Sequence, residues 1–347
     1  GLTLPLMNLA AAFGAMVGGG ASALISIKLG QRDTSSARMI LGNTLMLNII
    51  LGVSFGVACL IFLDPILYLF QASEDTIGYA RDYMRILLIG NIFTHIYLGL
   101  NNLLRATGYP RKSMMVMLVA GRGNVVMEYV FIFILGWGIA GAAWATVLAQ
   151  LIAMVLQISH FSNKKHEVHF MRGIYKLRSK IVKGILSIGL APFFMNVAAS
   201  VVVILINTAL KTHGGDLAIG AYGNVNRVAM IFLMVVFGLN QGMQPIVGYN
   251  FGARKFDRVA QTLKLTMIGV TIVTTLGFLM SMLFPRTVAM MFTIDPTPLA
   301  VTAAGMRIVS LDFPVVGFHI GTSQVFLSSV NAQTASFLSL SLQHLFL

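Results

Sequence analysis

Charge is scarce in this 347-residue chain: Asp, Glu, Lys and Arg make up 10% of it, and only 11 residues are acidic. Soluble domains carry about 25% charged residues, so that class is excluded. Hydrophobic residues at 57% and a mean hydropathy of +0.83 make the bilayer the natural solvent. Cysteine is nearly absent as well. The single Cys59 lies in an apolar run and by itself can form neither an intramolecular disulfide nor a metal cluster, which leaves it as packing. No Walker loop, zinc-binding pair or nucleophile elbow occurs, so enzymatic chemistry has no machinery and no cofactor is expected. The 24 Lys and Arg residues give a net charge of +13, but they sit in short loops between apolar runs, where they report topology. No nucleic-acid partner is expected.

What is abundant is hydrocarbon-compatible length. A helix needs about 20 residues to cross about 30 Å of hydrocarbon. Runs of that kind lie near 2 to 27, 38 to 63, 79 to 104, 113 to 135 and 138 to 161, then near 181 to 210, 217 to 249, 259 to 284 and 299 to 330, with a last one opening near 335. A basic break at 163–180, with Lys164, Lys165, Arg172, Lys176, Arg178 and Lys180, divides a first lobe at 1–162 from a second at 181–347. It reads either as an amphipathic cytoplasmic linker lying on an anionic leaflet or as a solvated loop. Lys28, Arg32 and Arg38, then Arg105, Arg111 and Lys112, then the break, then Arg254, Lys255, Arg258 and Lys264 occupy alternate connections, which are expected to face the cytoplasm.

The two lobes repeat at a constant offset of 222. Gly20 matches Gly242, Gly30 matches Gly252, Arg32 matches Arg254, Leu41 matches Leu263, Phe70 matches Phe292, and Met84-Arg85-Ile86 matches Met306-Arg307-Ile308. Duplicated helical lobes suit a carrier in which one lobe rocks against the other. The same register leaves the span at 181 to 210 with no partner in the first lobe, and the spans at 113 to 161 with little counterpart after residue 334. The expectation is therefore an all-α integral membrane protein of two pseudo-symmetric lobes, with six helices each when complete, of which one is missing in front and most of two behind.

Gly18-Gly19-Gly20-Ala21-Ser22-Ala23-Leu24-Ile25-Ser26-Ile27-Lys28-Leu29-Gly30 resembles a second-helix signature of the multidrug and toxic compound extrusion (MATE) transporters, bacterial type. Gln241-Gly242-Met243-Gln244-Pro245-Ile246-Val247-Gly248-Tyr249-Asn250-Phe251-Gly252-Ala253 resembles its eighth-helix counterpart. Arg105 to Lys112 and Gly138 to Thr146 resemble the segments that bracket the fifth helix. The resemblance covers essentially the whole chain. It implies a multi-pass protein of the bacterial cytoplasmic (inner) membrane that works as a monomer on small organic cations.

Glu128 is the sharpest chemical feature, because a carboxylate at the bilayer centre costs about 3 kcal/mol or more unless paired. Asn124 projects one turn before it on the same helix face, and Thr146 lies as far beyond the turn at Trp137 as Glu128 lies before it. A carboxylate, an amide oxygen and a hydroxyl are hard oxygen donors suited to Na⁺, and a carboxylate in an apolar site can also carry a proton. The family resemblance places Asn124 and Glu128 on an Asn-x-x-x-Asp pattern of the first-lobe cation site, here with Glu in place of Asp. Structural pairing with Arg122 is the plainer alternative. Asp312, before Phe313-Pro314, is a second acid within a span, whereas the run at 181 to 210 has none. Arg85 and Arg307 read as snorkelling side chains and Arg227 as structural. Asn240 and Gln244 are candidate pocket or gate groups, or interhelical hydrogen-bonders. The 21 Met and 23 Phe residues suit an adaptable cation cavity, although most face lipid or helices.

The function expected on these grounds is Na⁺- or H⁺-coupled antiport that exports lipophilic organic cations by alternating access. The alternatives are a lipid-linked oligosaccharide flippase, which needs a broad cationic cavity that the buried charge does not supply, and a scaffold, which leaves Glu128 unexplained.

Overall fold

A computed structural model describes residues 4–69, 74–292, 295–311 and 313. Every regular element among them is helical: α1 (Leu4–Gly30), α2 (Thr34–Ile61), α3 (Leu63–Leu69), α4 (Glu74–Ile89), α5 (Asn91–Ala106), α6 (Pro110–Tyr129) with a π-helical extension at Val130–Ile134, α7 (Gly138–Ser162), α8 (Ser179–Gly252), α9 (Phe256–Leu283), α10 (Pro285–Ala289) and α11 (Pro296–Ser310). Six of the described helical segments are long and apolar enough to cross a membrane, and a bent pair makes a seventh. Their outer faces carry exposed apolar side chains such as Val125, Val126, Phe133 and Ile134 on the α6 side. Water would penalise such a surface and hydrocarbon does not. The protein is an all-α, multi-pass integral membrane protein.

The chain divides into two compact units, Gly1–Asn196 and Val197–Leu347. In the first, Val17, Ile25, Leu41, Leu100, Leu103, Leu104 and Phe161 form the main core, which the first turns of α8 complete through Ile185. α1 and α8 touch backbone to backbone there: a Cβ on Gly20 would lie 2.0 Å from the Ile185 carbonyl oxygen, and one on Gly189 1.9 Å from that of Met16. Small residues permit this approach. A second cluster holds the buried Cys59 with Leu63, Leu67 and Met84. In the second unit Val225, Val228, Ala289 and Met306 pack together. Ala289 and Met306 are the 222-residue mates of Leu67 and Met84, so the duplicated positions bury the same sites in each unit.

The repeat also reproduces itself in backbone detail. α2 runs 34–61 and α9 runs 256–283; α4 begins at 74 and α11 at 296; α1 ends at 30 and α8 at 252. After α1, Gln31, Arg32 and Asp33 donate to the carbonyls of Ile27, Leu29 and Lys28; after α8, Ala253, Arg254 and Lys255 donate to those of Tyr249, Phe251 and Asn250. Arg32 and Arg254 both take the left-handed conformation, at φ 60° and 57°, the only described non-glycine residues that do.

Two expectations change, and a third feature falls where it is expected. The run at 79 to 104 is no straight span: α4 and α5 meet at 51° across Gly90, where a Cβ would lie 2.4 Å from the Val147 side chain. Packing against α7 fixes that break, and hydropathy is blind to it. The expected break between the runs at 181 to 210 and 217 to 249 falls at Gly215, whose φ of 63° and ψ of −163° kink α8 into two helices. The linker between α7 and α8 is not a free solvated loop but is docked on α2. Val168 and Ile174 are buried, Arg38 Nε donates to the Glu167 carbonyl at 2.9 Å, and Asn43 holds the Ile174 carbonyl, the Lys176 carbonyl and the Arg178 N–H at 3.2, 3.2 and 2.8 Å. One buried amide on α2 satisfies three backbone groups of an irregular strap, which removes its need to become helical.

Candidate cation site

Asn124 and Glu128 lie one turn apart near the end of α6, each half-buried. Asn124 Nδ2 donates to Thr146 Oγ1 on α7 at 3.4 Å, and that hydroxyl donates onward to the Ala142 carbonyl at 3.1 Å. The donors of the pair are thereby turned to each other and to the α7 backbone. Acceptors are left over. Among the described residues neither the Glu128 carboxylate nor the Asn124 carbonyl oxygen has a donor, and no hydrogen bond joins Glu128 to Thr146. Arg122 does not pair with Glu128 either; it lies exposed, and six residues of helix turn it well away from the carboxylate.

Two features of this neighbourhood were not anticipated. α6 passes into a π-helical turn at Val130–Ile134, straight after Glu128, closed by the Leu135 N–H on the Val130 carbonyl at 2.9 Å. Such turns are rare and often mark functional sites; no residue type in the run betrays it. Tyr83, half-buried on α4, lies within electrostatic range of the Glu128 carboxylate. An aromatic hydroxyl in an apolar run is a sequence signal, and only the fold pairs it with this acid.

Other polar groups are buried deeper in the first unit. His95 on α5 is fully buried, with Nδ1 3.0 Å from the Asn91 carbonyl oxygen and Nε2 without a partner. Asn91 in turn donates to the Gly52 carbonyl at 2.9 Å. A histidine inside an apolar run could have been flagged from sequence.

The remaining candidates are scattered. Asp312 lies outside the described residues. Asn240, on α8 in the second unit, is 2% exposed, and neither its Nδ2 nor its Oδ1 has a partner among the described residues; Gln244 follows one turn later, half-buried. Arg85 and Arg307 are exposed near the ends of α4 and α11, and Arg227 reaches Asn224 Oδ1 at 3.3 Å. No cluster of three or more His, Cys, Asp or Glu side chains able to hold a metal occurs among the described residues.

Together these observations define a duplicated, all-helical membrane protein with acceptor oxygens that lack a donor among the described residues inside a span. The family profile described as MatE matches residues 1–130 and 192–345, the greater part of the chain in two stretches. This chain belongs to the MatE family. It is 28% identical over 295 residues to the multidrug export protein MepA of Staphylococcus haemolyticus strain JCSC1435, a match that covers 85% of this chain and 65% of that protein. For MepA of Staphylococcus aureus strain NCTC 8325 / PS 47 the identity is 26% over 272 residues, covering 78% and 60%. The chain thus spans just under two thirds of the length of these curated relatives. In fold it superposes with a TM-score of 0.92 on the outward-facing conformation of a multidrug resistance MATE family transporter of the MOP superfamily, at 23% identity, covering 98% of this chain and 76% of that one. A MOP superfamily transporter from Pyrococcus furiosus Vc1 (DSM3638), whose binding pocket is described as having reversed polarity that suggests a different function, superposes with a TM-score of 0.91, also at 23% identity and with the same coverage.

Proposed function

We propose that the protein is a cation-coupled exporter of lipophilic organic cations in a bacterial inner membrane, working by alternating access. The observation that carries the coupling is the group of acceptor oxygens at Glu128 and Asn124 beside Thr146. A carboxylate inside a span with no cation to pair it is costly as it stands. Binding Na⁺ or a proton relieves that cost, so the ion stabilises whichever lobe arrangement brings the oxygens together. Export then follows by linkage: the ion favours the state that releases the drug, and the drug favours the state that releases the ion.

Membership of the MatE family and the export names of its relatives support this reading, and the flippase alternative has no observation in its favour. In the second lobe we assign Asn240 to the substrate pocket, because a buried carboxamide with both ends unsatisfied among the described residues is retained at a cost that a ligand can offset. The test is transport of a fluorescent lipophilic cation by the full-length protein in proteoliposomes under an imposed Na⁺ gradient, a proton gradient or neither. Accumulation driven by one gradient alone identifies the ion. Equal movement under all three conditions would rule out coupling.

A further inference from the structure

At the other end of α6, about 24 Å from Glu128 at 1.5 Å rise per residue, a cavity of about 330 Å³ opens between α6 and α7. Its polar wall is formed by Lys112, Ser159, His160, Asn163 and His166. Leu104, Met115, Val116, Val119 and Leu156 complete the lining, and of these Met115, Val119 and Leu156 are exposed on the outer face of the bundle. The cavity is a separate place from the cation site, and neither the family nor the coupling argument uses it.

Its polar wall is built to donate. The Lys112 ammonium lies 3.0 Å from His160 Nδ1 and can only donate, so Nδ1 accepts and the neutral ring carries its proton on Nε2. His160 is 6% exposed, and this Nε2 has no partner. A donor left unsatisfied at such depth calls for an acceptor. The ring is held in place: His166 stacks on it at a centroid distance of 4.0 Å, and Tyr109, packed edge-on against His160, puts its hydroxyl 2.9 Å from His166 Nδ1. No carboxylate lines the cavity. The neighbouring charges, Arg111, Lys164, Lys165 and Glu167, are exposed and lie outside its wall. Convergent donors with one fixed positive charge fit an anion, and the apolar strip of Met115, Val119 and Leu156 beside them fits hydrocarbon tails.

We propose that this cavity binds the phosphate of an anionic phospholipid, with Lys112, His160 and Ser159 on the headgroup and the acyl chains along Met115, Val119 and Leu156. A soluble anion would use the donors but gain nothing from the strip, which is why a lipid is favoured over free phosphate. The site also explains why the strap after α7 is docked rather than free: it carries His166, which holds the His160 ring.

Native mass spectrometry of the purified full-length protein tests this, after release from micelles containing phosphatidylglycerol or phosphatidylcholine with the same chains. Phosphatidylglycerol should be retained in preference. Lys112→Gln should weaken that retention about fivefold, the contribution of one basic contact to an anionic surface, while Lys112→Arg and the distant Lys255→Gln leave it unchanged. Ser159→Ala, on the exposed side of the wall, should weaken it in the same direction and decides the matter if Lys112→Gln does not fold. Equal retention of the two lipids, or equal behaviour of Lys112→Gln and Lys255→Gln, overturns the proposal. Thermal stabilisation by inorganic phosphate that phosphatidylglycerol does not reproduce would overturn the lipid in favour of a soluble anion.

Discussion

Glu128 and Asn124 are distinguished less by depth than by what they lack. Each is half-buried, and the acceptor oxygens have no donor among the described residues. Removing the carboxamide with Asn124→Leu should therefore lower the apparent affinity for the coupling ion by about tenfold, as loss of one well-placed polar contact worth about 1.4 kcal/mol does; ion-dependent transport rates read it, and Thr146→Val should have a smaller effect in the same direction. Elsewhere single acids act outside the spans. Asp33 caps α2, with Oδ1 accepting the Ser36 N–H at 3.0 Å and Oδ2 3.6 Å from Lys28, and hydrogen bonding by Ser36 holds its carboxyl below the ordinary range. The paired Arg81 guanidinium does the same to Asp64, at 2.8 and 2.9 Å. Depressed carboxyls stabilise the fold above the unfolded value of about 4 and lose that contribution as pH falls through the folded value. The difference in thermal midpoint between the native protein and Asp33→Asn, which keeps the cap, should thus be constant from pH 7 to 5 and shrink below about pH 4. Glu128 and Asn124 stand out in the sequence because a polar residue in an apolar run is conspicuous. The Tyr83 neighbour was not, since sequence does not say which helices meet.

At the scale of elements, breaks decide the geometry more than spans do. Gly90 sets a 51° bend because its missing Cβ admits Val147. Gly90→Val should overpack the site and destabilise the protein by about 1–3 kcal/mol, seen as a lower melting temperature. The turns after α1 and α8 make a matched pair of tests. Their arginines occupy the left-handed region, costly for a branched side chain, so Arg32→Val and Arg254→Val should each destabilise by about 1 kcal/mol, whereas the glycine variants should not. Hydropathy located α1, α2, α6, α7 and α9 to within a few residues, because each is a single uninterrupted apolar run. It could not see the π turn after Glu128, the bend at Gly90 or the docking of the basic strap. The bend and the strap are set by contacts distant in sequence, the bend by Val147 and the strap by Asn43 more than a hundred residues earlier.

Across the whole molecule, the duplication is the property most fully legible in the chain. Residues matched at an offset of 222 recur as matched helix starts, matched turn hydrogen bonds and matched core positions. The two units are nonetheless specialised. The α1 contact at Gly20 is closed by α8, whereas nothing among the described residues lies within 4 Å of a Cβ on its mate Gly242. The amide at Asn240, buried and without a partner among the described residues, sits where the first lobe has Gly18. The most direct measurement is gradient-driven transport of a fluorescent lipophilic cation in proteoliposomes by the full-length protein, its Glu128→Gln form and the exposed-site control Arg122→Gln. The account predicts that Glu128→Gln abolishes the response to the gradient while the control keeps it. Undiminished gradient-driven transport by Glu128→Gln would contradict it.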